Sequence, residues 1–190
     1  MEDPKNWLCF RFDPATGRTV MIPYYLAAPD KIGEGFVWVD ICAPTREDTI
    51  ELGDMFGFHP LALSDLLNDQ VRPKQEMYDE TLFTVFGAIH IEGTQDAFAT
   101  INLNVFLTPK FIVTTHSRPL RTITLLHQAL VEEAPYLNKG PGHIFYLLVD
   151  GIVDRYLDVM ADLEEDIEEM EHVIFGDAPH TVQEELFRLK

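Results

Sequence analysis

Apolar and polar positions change their period several times along this chain, and each change marks an element. Trp7–Phe12 and Thr19–Ile22 are strand-forming runs that flank an Asp-Pro-Ala-Thr-Gly turn, which predicts a β-hairpin. Phe36–Ile41, reading Phe-Val-Trp-Val-Asp-Ile, predicts a central strand. A helix should start after Thr45, where Asp48 three residues on makes a near capping box, and end at Phe56, with Gly57 as its stop. Pro60 suits the first turn of a second short helix through Leu67, because the N–H it lacks has no partner there.

Beyond Arg72-Pro73 the pattern turns to strands at Gln75–Tyr78, Leu82–Glu92, Phe98–Leu107 and Phe111–Thr115. The polar turn Glu92–Asp96 and the tight Thr108-Pro109-Lys110 step join neighbours in this series, as in an antiparallel meander. Pro119 opens a helix to about Glu133, and Pro135 with Gly140-Pro141-Gly142 marks the main boundary. Residues 1–138 are therefore expected to form an α/β domain, and residues 139–190 long helices.

From His143 to Phe175 the pattern predicts one helix of roughly 30 residues, about 45 Å long. Ile144, Phe145, Leu147, Leu148, Val149, Ile152, Val153, Tyr156 and Leu157 make its first half apolar nearly all round, so that half must pack on several sides. Its second half narrows to a seam of Tyr156, Met160, Leu163, Ile167, Met170 and Ile174, suited to a single partner helix. Thr181 with Glu184 caps a further helix that is still unfinished at Lys190, which suggests that the chain is truncated there and that this helix returns along the seam.

Charge sharpens this picture. The chain has 14 basic and 32 acidic residues, a net charge of −18. Such a surface repels phosphate backbones and attracts metal cations or basic partners, so nucleic acid is excluded as a partner class. The acids concentrate on the long helix: Asp150, Asp154, Asp158, Asp162 and Asp166 recur at every fourth position, joined by Glu164, Glu165, Glu168, Glu169 and Glu171. Four successive aspartate pairs destabilise a helix by roughly 1–2 kcal/mol. Each fully buried seam residue contributes about 1.5–3 kcal/mol, so packing prevails and the acidity is tolerated. The row reads either as a solvated face or as a collector of hydrated divalent cations, for which hard carboxylate oxygens are suited.

Enzyme signatures are missing. There is no dinucleotide or P-loop glycine pattern, no His-Glu-x-x-His, no EF-hand loop and no Gly-x-Ser-x-Gly elbow. The seven histidines are scattered, and Cys9 and Cys42 read as buried reduced thiols without ligand spacing. The amino terminus lacks the basic and apolar regions of a signal peptide, and no run approaches the ~18 apolar residues of a membrane helix.

Four strings in order carry a resemblance. They are Phe56-Gly-Phe-His-Pro-Leu-Ala-Leu-Ser-Asp-Leu-Leu-Asn68; Arg72-Pro-Lys-Gln-Glu-Met-Tyr78 with Leu82-Phe-Thr-Val85; Phe106-Leu-Thr-Pro-Lys-Phe-Ile-Val-Thr-Thr-His116; and Tyr146-Leu-Leu-Val-Asp-Gly-Ile-Val-Asp-Arg-Tyr156 with the acidic helix after it. Together, over Phe36 to Lys190, they resemble the cytoplasmic domain of CorA-type magnesium transporters. The resemblance implies an α/β/α sandwich with a largely antiparallel mixed sheet, then a long acidic helical hairpin. It further implies a stalk and two membrane helices beyond this chain, a homopentamer, and a place on the cytoplasmic face of the inner membrane.

The family's Gly-Met-Asn pore signature is not in this chain, so the ion carried (magnesium, cobalt, nickel or zinc) stays open, and zinc-transporting relatives share the same plan. Family members sense Mg2+ between neighbouring cytoplasmic domains. By position that role falls to Glu92, with Asp96 in the same turn, while the usual partner acid lies on the stalk beyond Lys190. Two other readings stand beside this one: a free-standing acidic interaction module, and a metal-dependent hydrolase using His59 and Asp65 or His90 and Glu92.

Overall fold

The computed structural model describes residues 5–68, 72–91, 98–131 and 139–175. Seven strands form one mixed sheet: β1 (Trp7–Asp13), β2 (Arg18–Met21), β3 (Phe36–Cys42), β4 (Lys74–Tyr78), β5 (Thr81–Ile91), β6 (Phe98–Leu107) and β7 (Phe111–His116), in the spatial order β2-β1-β3-β7-β6-β5-β4. Every neighbouring pair is antiparallel except β3 and β7, which run parallel at its centre. The predicted hairpin is β1–β2, and the predicted meander is β4 to β7.

Local chemistry explains the helices. In α1 (Arg46–Phe56) the Thr45 hydroxyl accepts the Asp48 N–H, while the Asp48 carboxylate accepts the Thr45 N–H, completing the capping box. The helix ends at Gly57, whose φ of 70° is left-handed and costs glycine nothing. Pro60 starts α2 (Pro60–Asp65), which is shorter than its pattern suggested. Two 3-10 turns, Tyr24–Leu26 and Pro29–Lys31, occupy the link from β2 to β3, where no element was predicted. On the other side of the sheet lie α3 (Arg121–Val131) and the start of α4 (Pro141–Phe175).

Side chains of the sheet alternate between two cores, because successive strand residues point to opposite faces. Val37, Val39, Ile41, Phe83, Val85, Phe106 and Val113 face α1 and α2, where Phe58 stacks on Phe106 at 3.9 Å. Trp38, Leu103, Val105 and Ile112 face α3 and α4, meeting Leu120, Ile123, Leu126, Ile144, Leu148 and Ile152. These are the layers of an α/β/α sandwich with a largely antiparallel mixed sheet. Cys9 is a buried free thiol as expected, but Cys42, at the end of β3, is only partly buried.

The chain divides into two compact units, one reaching Ile152 and the other starting at Val153. The first takes in the early turns of α4 because Ile144, Leu148 and Ile152 belong to the second core. In the second unit the continuing helix leaves Tyr156, Met160 and Ile167 exposed along its seam. The returning arm predicted from Thr181 lies outside the described residues.

Candidate functional site

In mixed sheets the place to look for chemistry is where two adjacent parallel strands send their connections to opposite faces. Here β3 leads into α1 on one face and β7 leads towards α3 on the other. The mouth between them is closed by backbone: the Ala43 N–H donates to the His116 carbonyl at 2.7 Å, with Ala43 held at a φ of 54°. Below this closure, the parallel register sets Asp40 beside Thr114 and Cys42 beside His116.

Asp40 is the centre of a buried polar cluster on the α3 side. It is a carboxylate at 3% exposure, inside an otherwise apolar strand. Trp38 Nε1 donates to Thr114 Oγ1 at 3.0 Å, and the Thr114 hydroxyl in turn donates to Asp40 Oδ1. From β7, His116 Nε2 lies 3.3 Å from Asp40 Oδ1, while its Nδ1 meets the Arg118 carbonyl at 2.6 Å. That carbonyl needs a proton on Nδ1, so a neutral His116 would turn a bare Nε2 towards the carboxylate. A second proton removes the conflict. Burial opposes the charge, but the hydrogen bond and attraction of Asp40 overcome it, and the His116 pKa is raised.

A second imidazole reaches the same carboxylate from α3. His127 Nε2 lies 3.5 Å from Asp40 Oδ2, near enough for attraction but at the outer limit of a hydrogen bond, and this buried nitrogen has no hydrogen-bond partner. Its ring packs against Trp38 at 4.8 Å and Phe10 at 5.1 Å between centroids. Burial lowers the His127 pKa, Asp40 pulls it the other way, and the charge on His116 lowers it further. One carboxylate thus faces two imidazoles whose pKa values are pushed in opposite directions.

On the sheet's other face, Asn104 Nδ2 donates to Thr115 Oγ1 at 3.2 Å and Asn102 Nδ2 to the Asn68 carbonyl at 3.1 Å. A shallow groove along α1 is lined by Glu47, Ile50, Glu51, Asp54 and Met55, and Lys5 pairs with Glu51 at its rim.

Glu92 and Asp96, the sites implied by resemblance, lie outside the described residues, between the last rung of the β5–β6 pair, Ile91 opposite Phe98, and its return. Asp150, Asp154, Asp158, Asp162 and Asp166 are all exposed, and Arg155 reaches Asp158 at 3.1 Å. Among the described residues no group of three His, Cys, Asp or Glu is placed to hold a metal ion. No helix among them is long and apolar enough to cross a membrane.

Of the hydrolase candidates, Glu92 lies outside the described residues, and the other three make structural contacts. His59 Nδ1 accepts the Leu61 N–H at 3.3 Å to cap α2, its ring stacks on Tyr78 at 4.4 Å, and Asp65 pairs with Lys74 at 2.9 Å. Hydrogen bonds from Lys74 to Glu76 and Asp65 hold its ammonium well above the ordinary lysine range. His90 Nδ1 meets the Pro119 carbonyl at 3.1 Å. The Asp40 cluster went unread in the sequence, although a charged residue within Phe36–Ile41 was a visible signal.

Residues 33–190 match the family described as CorA-like Mg2+ transporter protein. YfjQ, a candidate metal ion transporter of Bacillus subtilis (strain 168), is 34% identical over 157 residues, covering 80% of this chain and 47% of that protein. The cobalt/magnesium transport protein CorA of Thermotoga maritima is 23% identical over 144 residues, covering 72% and 40%. The soluble domain of CorA from Methanocaldococcus jannaschii superposes with a TM-score of 0.75 at 18% identity, covering 98% of this chain and 71% of that one. The chain spans less than half the length of these two curated relatives.

Proposed function

The chain belongs to the CorA-like Mg2+ transporter family, and on that premise we propose that it is the cytoplasmic, cation-responsive part of a divalent-metal transporter. The observation that carries this reading is the family match over residues 33–190, supported by the α/β/α fold and by the acidic row exposed along α4. The family is one of transporters, and the chain's role is to regulate an ion's passage without transforming a substrate.

In this reading Glu92 and Asp96 contribute half of a regulatory Mg2+ site between neighbouring copies of a homopentamer at the inner membrane, and residues 139–190 lead towards the stalk. Cobalt, nickel or zinc would be read by the same hard oxygen donors, less selectively than a nitrogen or sulfur site would allow. Bound cations neutralise carboxylates that face each other across the interface and favour one packing of the ring. Their loss lets like charges separate the subunits.

Replacing Glu92→Gln together with Asp96→Asn tests the assignment. The double variant should fold as the parent does, with an unchanged thermal midpoint, but lose the Mg2+ dependence of its self-association. Self-association that still follows Mg2+ in the double variant rules these two residues out.

A further inference from the structure

We propose that Asp40, His116 and His127 form a proton-operated latch on α3: one proton, held by His116 against Asp40, keeps α3 on the sheet, and a second, taken up by His127, releases it. The latch rests on the geometry of this chain. Only its consequence for transport depends on the function proposed above.

With one proton the Asp40–His116 pair is balanced, and both N–H groups of His116 have an acceptor. His116 gives one N–H to the Arg118 carbonyl and the other to Asp40. His127 sits beside this pair as a neutral ring between Trp38 and Phe10. A second proton leaves two imidazolium ions sharing one carboxylate at 3% exposure. The Nε2 of His127 is buried without a hydrogen-bond partner, and its new N–H would have only the 3.5 Å attraction of a carboxylate already engaged by His116. Burying a charged donor in that condition is among the costliest changes a core can undergo.

Among the described residues no other carboxylate acts on His127. The charges acting on His127 are Asp40 from β3 and His116 from β7. Cys42 on β3 is held in its neutral thiol form by burial and by Asp40. From β1 comes the Phe10 ring, and on α3 itself Arg121 is exposed. The early turns of α4 bring Ile144, Leu148 and Ile152, which are apolar. Relief therefore comes from water, and His127 reaches water when α3 moves away from the sheet.

That movement would be transmitted. Ile123, Leu126 and Leu130 tie α3 into the second core, and Thr122 lies against Gly151 of α4. In the intact transporter the latch would make acidity a second input beside divalent cations, acting on the helix that leads from the sheet.

The test is amide hydrogen exchange of the 190-residue chain between about pH 7.5 and about pH 5, as protection factors corrected for intrinsic exchange. Residues of α3 should lose protection by roughly tenfold relative to β3 and β7. His127→Phe keeps a ring between Trp38 and Phe10 and should abolish the selective loss. His116→Gln leaves a single imidazole for Asp40 and should weaken the acid response. Parallel loss in α3 and the sheet, or an unchanged response in His127→Phe, overturns the latch. Should His127→Phe fail to fold, the His127 ring resonance of the parent decides: titration below the ordinary 6.5 supports the latch, and titration at or above it refutes it.

Discussion

Gly151 of α4 lies so close to Thr122 of α3 that a Cβ added there would sit 2.6 Å from Thr122 Cγ2 and 3.1 Å from its Oγ1. Glycine inside a helix costs about 0.5–1 kcal/mol relative to alanine, so its presence reflects the close approach of the two helices. Gly151→Ala should therefore be neutral to destabilising, because about 1–3 kcal/mol of overpacking opposes the helical gain. In a Thr122→Ala background, where the obstructing atoms are gone, the same change should stabilise by about 0.5–1 kcal/mol. Urea unfolding of the four proteins measures the coupling, and simple additivity would show that the helices are not in contact here.

Thr114→Val removes the link between Trp38 and Asp40. It leaves the Trp38 N–H without its acceptor in a fully buried position and takes a donor from Asp40. Each orphaned group costs about 1–3 kcal/mol, so this near-isosteric change should be among the more destabilising in the sheet. Chemical denaturation followed by tryptophan fluorescence reads it. A loss within experimental error would mean that water replaces the hydroxyl.

Thr45→Ala should cost about 1 kcal/mol, since it strips the capping box from α1, whereas Thr45→Asp should recover most of the loss. Denaturant midpoints of the two variants distinguish the cap from any general effect of the position.

Stability should pass through a maximum in the mildly acidic to neutral range and fall on both sides. The folded His116 pKa lies above the ordinary 6.5, so its contribution is complete below 6.5 and disappears as pH rises through the folded value. The folded His127 pKa lies below 6.5, so its contribution is present above 6.5 and disappears as pH falls through the folded value. His116→Gln should flatten the alkaline arm. His127→Phe should flatten the acid arm, leaving the smaller slope from His143, whose pKa burial and Lys139 hold down. Unfolding free energies across pH test both slopes, and an exchange of the two arms between the variants would contradict the assignment.

Much of this fold could be read locally. The cap at Thr45, the stop at Gly57 and the apolar run of β3 are each decided by neighbours within a few residues. The parallel pairing of β3 with β7 is different: it joins Val37 to Phe111 across the whole meander, and no local pattern specifies it. The Asp40 cluster follows from that pairing and from the docking of α3, so its parts stayed scattered in the sequence. Asp40 itself was conspicuous, as a charge in a strand with no room for water, but its partners were not. Glu92 and Asp96 came from resemblance alone, since a short polar turn between strands looks the same whether or not it meets a neighbour.

The most direct measurement is sedimentation velocity of the 190-residue chain across a magnesium titration at constant ionic strength. The account predicts growth from monomer towards a pentamer with added magnesium and none with the equivalent sodium, because divalent cations neutralise the carboxylates that otherwise hold neighbouring copies apart. A chain that sediments as a monomer at every magnesium concentration would contradict a cation-bridged interface within these residues.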